Sequence, residues 1–239
     1  MAPTPSSPVI VFTHVPKTSG TSFRKSLVEP NIAAEEIFRY GGVRSFVRER
    51  GAESSFVWGH MPSGVHLLTR RKVDYVTFLR DPIDRAVSYY YFAKDSDPAA
   101  YKHPARDDAD SHSIAEFYAL RKYQNWQTRF VAGLPFHYLY PRHSSSRLDR
   151  ITLQRAIGNL TGGYACFGMQ ERFEESLDLL QARFGWRERA TVAREKQTGT
   201  RPRLDDLDED TLRALRASNS LDCELYEAAW RWFDARVAA

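Results

Sequence analysis

Short runs of β-branched and aromatic residues recur along the chain and are separated by polar or glycine-containing stretches. A run of this kind bounded by turn residues is typical of a buried strand. The first, VIVF, is followed directly by a loop rich in hydroxyl side chains. The pattern predicts four strands, at residues 9–12, 55–58, 73–79 and 164–169.

Between these runs, apolar residues repeat at the three- and four-residue spacing of an amphipathic helix. Asp81 and Pro82 form a typical helix start, as N-cap and first helical residue. The last helix is expected to bury Leu225, Ala229, Trp232 and Phe233. Residues 95–113 are polar and predict a long mobile loop. Helices are predicted from residue 21 or 22, after residue 81, and at about 114–131, 149–160, 171–184, 210–218 and 221–237.

Alternating strands and helices favour an α/β domain of P-loop-like topology, with a central parallel sheet between two helical layers and extra C-terminal helices. Residues 1–8 are expected to form a flexible leader and residues 9–239 a single domain. In such domains, ligands bind beyond the carboxyl ends of the strands.

Composition narrows the class of protein. The chain is 42% hydrophobic, and its net charge of +4 is compatible with an anionic ligand without requiring nucleic acid. Cys166 and Cys223 stand far apart, so neither a disulfide framework nor a zinc site is predicted. No apolar run is as long as a membrane span, which makes the cytoplasm the expected location.

The first strand is joined to the first helix by residues 14–22, termed the phosphate loop. A helix N-terminus offers unpaired N–H groups to an anion. Lys17 adds a positive charge, Gly20 lets the backbone curl, and hydroxyls come from Thr18, Thr21 and Ser22. Lys17 precedes the glycine, so this is not a Walker A loop. The alternative is an ordinary surface turn with an incidental lysine.

A second anion site is predicted where the strand at 73–79 ends. Arg80 follows that strand, and Ser88 lies about two turns into the next helix. The arginine and the hydroxyl could hold one phosphate from two sides. Arg85 either joins them or, as the favoured alternative, forms a salt bridge with Asp81 or Asp84.

The two sites together resemble the sulfotransferase family, in particular the branch that contains the heparan sulfate 2-O- and 6-O-sulfotransferases. The resemblance extends over residues 9–233. It implies that the loop binds the 5′-phosphosulfate of 3′-phosphoadenylyl sulfate (PAPS) and that Arg80 and Ser88 bind its 3′-phosphate. Ser19 stands where the family usually has glycine. The motifs are HVPKTSGTSF (14–23), WGHMPSGVH (58–66), TFLRDPIDRAVSYYY (77–91), NWQTRFVAG (125–133) and CFGMQERFEESLDLL (166–180).

Sulfuryl transfer needs a base for the acceptor hydroxyl and positive groups for the oxygens around sulfur. Neutral imidazole suits the first role, and His60 follows a strand and a glycine at the rim of the sheet. The family resemblance also points to this histidine. His60 as a structural hydrogen-bonding group, or His66 or His14 as the base, are the alternatives; His14 is expected to brace the loop. Lys17 suits the second role. The remaining histidines carry no comparable signal: His103, His112, His137 and His143.

Weaker signals concern the acceptor, for which Gln127, Arg129 and His66 are the candidate contacts, and the nucleotide. The resemblance places Gln127 and Arg129 at the active site, whereas a structural network is an equal alternative. It also assigns Lys196 and Thr198, in a basic segment at 194–203, to nucleotide binding. The aromatic run at 89–92 could stack on an acceptor, with at least two rings in the core. Residues 95–113 are either a lid or a surface insertion.

The sequence therefore predicts a PAPS-dependent O-sulfotransferase that uses His60 and Lys17, requires no metal and sulfates a hydroxyl compound such as a saccharide. An ATP-dependent kinase and a non-catalytic module that binds a nucleotide or an anionic glycan are the alternatives. The kinase is disfavoured because a GK[ST] element is missing from the sequence.

Overall fold

The computed structural model of the protein describes residues 8–49, 51–143, 145–191 and 201–238. Its centre is a five-stranded sheet in the order β2-β3-β1-β4-β5, with every neighbouring pair parallel. Four of the strands occupy the predicted positions. The strands are β1 (Val9–Thr13), β2 (Ile37–Arg39), β3 (Phe56–Gly59), β4 (Val73–Leu79) and β5 (Tyr164–Met169).

Strand β2 escaped prediction because its three residues are too few to show a period and are only partly buried or exposed. The helices that accompany the sheet are α1 (Gly20–Phe23), α2 (Glu29–Asn31), α3 (Val43–Arg48), α4 (Pro82–Lys94), α5 (Pro98–Tyr101), α6 (Arg106–Ser111), α7 (Ile114–Ala119), α8 (Trp126–Ala132), α9 (Phe136–Leu139), α10 (Ser146–Gly158), α11 (Phe173–Phe184), α12 (Glu209–Ser218) and α13 (Ser220–Val237). A π-helical segment, Arg24–Val28, connects α1 to α2.

The two faces of the sheet carry separate hydrophobic clusters. On one face, Phe12 and Phe78 pack with Phe23 of α1 and Leu177 of α11. On the other face, strand residues such as Val11 pack with α8, α10 and α13. This alternation follows from the period-two orientation of strand side chains. The predicted three-layer α/β architecture with extra C-terminal helices is therefore confirmed.

Two helix predictions need correction. The helix predicted at 114–131 is broken into α7 and α8, because Asn125 has a left-handed backbone conformation (φ 51°) at the start of α8. In α13, Leu225, Ala229 and Phe233 are buried as predicted, but Trp232 is 41% exposed. Trp232 directly precedes a core residue on the helix, and so points away from the face that Phe233 buries.

The predicted mobile loop at 95–113 contains α5 and α6. Asp97 caps α5 by accepting a hydrogen bond from the Ala99 amide, and Ala105 and Ala109 are buried. The many Asp and His residues made the segment look polar, yet its small buried alanines suffice to pack it on α4. The segment joins α4, α7 and α12 in a third hydrophobic cluster beside the sheet.

No described helix combines the length and the apolar character needed to traverse a bilayer. Of the predicted leader, only Pro8 belongs to the described residues.

Candidate active site

A cavity of about 1460 Å³ opens beyond the carboxyl ends of β1, β3 and β4. This is the edge at which parallel α/β sheets bind ligands. The phosphate loop and the end of β4 contribute to the same wall. The predicted site residues that line this one cavity are Lys17, Ser19, Gly20, Thr21, Ser22, His60, Arg80 and Ser88.

The phosphate loop holds two non-glycine residues in the left-handed region, Lys17 (φ 69°) and Ser19 (φ 61°). Such a conformation costs an L-residue roughly 1–2 kcal/mol. Ser19 is the position at which the family usually has glycine, and its backbone conformation gives the physical reason. The loop keeps this shape because it turns the chain sharply from β1 into α1.

Gly20 is required by close packing. A Cβ atom built there would lie 2.3 Å from Nε2 and Cδ2 of His14. The His14 ring is buried beneath the loop and stacks on Phe12 at a centroid distance of 5.2 Å. Burial, together with the charges of His60 and Arg24, lowers the pKa of His14 to about 3. His14 is thus a neutral packing group at pH 7, in agreement with its predicted role of bracing the loop.

The Thr18 hydroxyl does not reach the cavity. Thr18 is fully buried, and Oγ1 donates to the Val15 carbonyl at 2.8 Å. Its single hydrogen is therefore used inside the loop. The prediction that this hydroxyl binds the nucleotide is corrected: it stabilises the turn, whereas Thr21 and Ser22 remain on the cavity wall.

Lys17 and Arg80 meet at the loop. The Arg80 Nη1 group donates to the Lys17 carbonyl at 3.0 Å, which ties the end of β4 to the phosphate loop. The Lys17 ammonium lies over the ring of Phe92, 4.1 Å from its centroid. Cation–π contact of this kind holds an ammonium in place while leaving it charged.

Arg80 shares the carboxylate of Asp84 with Arg201. Nε of Arg80 donates to Oδ2 of Asp84 at 2.8 Å, and Arg201 contacts the other carboxylate oxygen. Burial lowers the pKa of Arg80 to about 10, so it stays charged at neutral pH. Arg80, Arg201, Ser88 and the shared carboxylate of Asp84 thus line one part of the cavity. Burial and the charge of Arg80 also lower the pKa of Arg201 to about 10.

Arg201 is a cavity residue that the sequence analysis did not select. It belongs to the basic segment at 194–203. Lys196 and Thr198 are the predicted nucleotide contacts of that segment, and both lie outside the described residues. Register within that segment could not be read from the sequence, because it has no periodic pattern on which to fix it.

Arg85 has neither of its predicted roles. It is fully buried, and Asp81 and Asp84 are engaged elsewhere: Asp81 caps α4, and Asp84 holds Arg80. Burial raises the pKa of the Asp222 carboxyl in α13, and the positive charge of Arg85 opposes this rise. Arg85 therefore belongs to the packing between α4 and α13.

His60 is oriented by the main chain of the neighbouring loop. Its Nδ1 lies 2.9 Å from the His14 carbonyl oxygen, which can only accept. In neutral His60 the proton therefore sits on Nδ1, and Nε2 carries a lone pair. The ring is accessible to solvent and lines the cavity, yet desolvation still lowers its pKa. His60 is neutral at pH 7 and can accept a proton at Nε2.

Gly59 sets the approach to this histidine. Its φ is 156°, and a Cβ atom there would lie 2.9 Å from the Tyr40 carbonyl oxygen. A side chain at this position would therefore push the end of β3 away from Tyr40, immediately before His60. The Gly–His pair in the sequence thus reflects both backbone conformation and space.

His66 lies elsewhere. Its Nδ1 is 2.8 Å from the Tyr75 hydroxyl, and Tyr75 is near the amino-terminal end of β4. His66 is absent from the described residues that line the cavity. Its position therefore lends no support to the predicted role in acceptor binding or to the alternative of His66 as the base, and both stay predictions.

Gln127 and Arg129 are buried structural residues. Gln127 accepts from the Arg80 amide at 2.9 Å and donates to the Arg80 carbonyl at 2.8 Å. Arg129 donates to the carbonyls of Lys122 and His137 at 2.9 and 3.0 Å. Neither side chain lines the cavity. The observed arrangement is the alternative of a structural network, in which Gln127 fixes the backbone of Arg80; an acceptor contact by Gln127 or Arg129 stays a prediction.

Several cavity residues were missed by the sequence analysis. His103 is 8% exposed and lines the cavity from the 95–113 segment, and His137 lines it from α9. Burial lowers the pKa of His137 to about 3. Aromatic rings complete this wall, and the polar run around His103 gave no sign that the residue faces inward. The rings are Tyr89, Phe92, Tyr101, Trp126 and Phe130.

Comparison with known proteins identifies the family. The model of the galactose-3-O-sulfotransferase family matches residues 56–239. The chain belongs to this family. The predicted membership in a sulfotransferase family is thereby confirmed.

This sulfotransferase-family chain is also similar to heparan sulfate 2-O-sulfotransferase 1 of Gallus gallus and of Homo sapiens. Each is 25% identical over 197 residues, which cover 73% of this chain and 54% of the relative. The chain thus spans about half the length of these relatives. Among solved structures, mouse sulfotransferase SULT7A1 complexed with PAP matches with a TM-score of 0.45 and 16% identity, over 89% of this chain and 64% of that one.

Proposed function

We propose that the protein is a PAPS-dependent O-sulfotransferase with His60 as its base. The observation that carries the proposal is the shared cavity. Most of the phosphate loop, Arg80, Ser88 and His60 all line it. Family membership supports the same reaction class.

The donor would bind along the charged wall. The phosphate loop presents the N-terminus of α1, Lys17 and the hydroxyls of Thr21 and Ser22, a set suited to a phosphosulfate. Arg80, Ser88 and Arg201 offer a guanidinium-rich site for a second phosphate. When bound, PAPS would supply the sulfuryl group.

The chain's own residues provide the proton transfer and the positive charge. His60 accepts the proton of the acceptor hydroxyl at Nε2, and its Nδ1 proton stays on the bond to the His14 carbonyl. This bond also stabilises the imidazolium that forms. The Lys17 ammonium stabilises negative charge that develops at the phosphate loop.

The acceptor proposed is a saccharide hydroxyl. The matched family is named for transfer to galactose, and the similar relatives are named for transfer to heparan sulfate. The aromatic cavity wall supports this class, because the C–H face of a pyranose packs well on aromatic rings.

The test uses His60→Asn, in which the amide nitrogen can still donate to the His14 carbonyl but the ring Nε2 is gone. Sulfate transfer from PAPS to a galactoside, a heparan backbone and a phenol is measured, and binding of adenosine 3′,5′-bisphosphate is measured by calorimetry. We expect kcat to fall by about 10²–10⁴-fold while nucleotide binding is unchanged.

His66→Asn, outside the cavity, is the matched control and should keep normal turnover. Near-normal turnover of His60→Asn would remove His60 from the role of base. A wild-type preference for ATP with Mg²⁺ would favour the kinase alternative. Tight binding of the bisphosphate with no transfer to any hydroxyl compound would favour a non-catalytic module.

A further inference from the structure

His103 contacts the same aromatic ring as Lys17. The His103 ring meets Phe92 edge-on at a centroid distance of 5.4 Å, and the Lys17 ammonium lies over that ring at 4.1 Å. His103 also meets Tyr89 edge-on at 5.3 Å. It is 8% exposed and lines the cavity. Packing on two rings therefore holds a histidine in the cavity wall close to the lysine of the phosphate loop.

The main chain fixes which nitrogen of His103 carries the proton. Nδ1 accepts a hydrogen bond from the Ala105 amide at 3.1 Å. An amide N–H can only donate, so Nδ1 bears the lone pair and neutral His103 is protonated at Nε2. Among the residues that the structure describes, none accepts a hydrogen bond from this Nε2–H.

His103 is kept neutral in this position. Burial lowers its pKa, and the charges of His60 and Lys17 lower it further. His103 lines the same cavity as His60 and Lys17 and shares the Phe92 ring with Lys17. At neutral pH it therefore presents a hydrogen-bond donor rather than a positive charge.

His60 and His103 thus have opposite tautomers, each set by a backbone group. His60 donates a hydrogen bond from Nδ1–H to the His14 carbonyl, and its Nε2 carries the lone pair that can accept a proton. His103 uses its Nδ1 as an acceptor and has a donor at Nε2. In sulfuryl transfer a hydroxyl loses a proton, which an accepting nitrogen can take. The oxygens of the transferred group carry negative charge, which a donating nitrogen can stabilise.

Resting on the proposed function, we propose that His103 is a second catalytic residue, which donates a hydrogen bond from Nε2–H to an oxygen of the sulfuryl group in transit. The acceptor hydroxyl gives its proton to His60, so His103 keeps its own proton throughout. The segment that carries His103 is then part of the catalytic site and not a surface insertion.

A pair of isosteric variants separates donation from packing. Asparagine at 103 places its amide oxygen near the position of Nδ1 and keeps the Ala105 contact, but loses the donor. Glutamine reaches the position of Nε2 with an amide N–H and loses the Ala105 contact. A hydrogen bond to a charged group is worth about 1.5–3 kcal/mol, so we expect His103→Asn to lower kcat about 10- to 150-fold.

We expect His103→Gln to stay within a few-fold of the wild-type kcat and both variants to keep the KM for PAPS; the lost Ala105 contact should lower the thermal midpoint of His103→Gln alone. Wild-type turnover of His103→Asn would overturn the proposal. So would an equal loss in both variants accompanied by a lower thermal midpoint, since that pattern reports packing alone. A wild-type protein that transfers no sulfate to the acceptor panel would instead bring down the proposed function.

The predicted tautomer of His103 can be tested without measuring enzyme activity. Long-range ¹H–¹⁵N spectra of histidine-labelled protein at pH 7, assigned by comparison with His103→Asn, should show His103 neutral and protonated at Nε2. A proton on Nδ1, or a doubly protonated ring, would overturn the inference whatever the enzyme does.

Discussion

The phosphate loop (residues 14–22) and the segment at 125–129 look alike in sequence and differ in the folded protein. Both are short, rich in amide, hydroxyl and charged groups, and next to apolar stretches. The loop presents its backbone, Lys17 and two hydroxyls to the cavity. The other segment turns its polar side chains inward, where Thr128 is fully buried and Gln127 is 1% exposed.

The difference arises from what each segment can bond to. The phosphate loop leads into a helix whose N-terminal amides face the cavity. The N-terminal amides of α8 are satisfied by Asp222 of α13, which accepts from Gln127 and Thr128 at 3.1 and 2.7 Å. A buried carboxylate thus fills the place that an anion would take. Of two helix starts of similar composition, one is open to the cavity and the other is a structural joint between α8 and α13.

Removing the internal carboxylate tests the structural joint. Asp222→Ala deletes the acceptor of three hydrogen bonds and leaves buried Arg85 without its nearby negative charge. We expect the free energy of unfolding to fall by about 3–5 kcal/mol, because two buried amides and a hydroxyl lose their acceptor and the buried charge of Arg85 loses an opposing charge. Urea denaturation measures the loss.

Asp210→Ala, on the exposed surface of α12, is the matched control and should change stability little. Thr128→Val, which removes one of the three bonds, gives a milder variant with a loss of about 1–3 kcal/mol. The contrast between the two segments would fail if Thr128→Val left stability intact and instead raised the KM for the acceptor.

Acid should destabilise the protein through two buried histidines, His14 in the phosphate loop and His137 next to the 125–129 segment. Folding lowers the pKa of His14 and of His137 from about 6.5 to about 3. Between these values the unfolded chain binds more protons than the folded one, so stability falls as the pH falls, by about 1.4 kcal/mol per pH unit for each histidine. The loss begins below pH 6.5 and levels off near pH 3.

Urea midpoints between pH 7.5 and 5 measure this slope. His137→Phe removes the group next to the 125–129 segment and should reduce the slope by about 1.4 kcal/mol per pH unit, while His14 still contributes its share. An unchanged slope in this variant would show that His137 titrates normally in the folded protein.

The smallest expected effect concerns strain in the phosphate loop. Ser19→Gly relieves a left-handed backbone at a small entropic cost, so we expect a gain in stability of about 0.5 kcal/mol. Ser45→Gly, in the middle of α3, is the opposite control and should lose about 0.5 kcal/mol. Thermal midpoints of the two variants should move in opposite directions; a decrease for Ser19→Gly would mean that the loop is not strained at this residue.

Local sequence was sufficient for the elements with strong periods and for the residues next to strand ends. β4 and β5 have their predicted bounds. His60 and Arg80 line the cavity because they directly follow β3 and β4, and Lys17 lines it from the loop after β1. The ends of adjacent parallel strands lie at one edge of the sheet, so their order in the chain already brings these residues together.

Only the tertiary structure shows which way an isolated polar side chain points. His103 and Gln127 both lie outside the strand ends, and their sequence neighbours do not show which way they point. His103 faces the cavity because Tyr89 and Phe92 pack against its ring, and Gln127 faces inward because the Arg80 backbone offers it a donor and an acceptor. These partners are distant in sequence.

By itself, then, the sequence determined the α/β class, most of the strands, the phosphate loop and the family. The tertiary structure decided which polar groups reach the cavity: it placed Thr18, Gln127, Arg129 and His66 outside it and brought in His103, His137 and Arg201. The physical reason is that secondary structure follows from local periodicity, whereas the orientation of a buried polar side chain depends on whether a partner from elsewhere in the chain satisfies its hydrogen bonds.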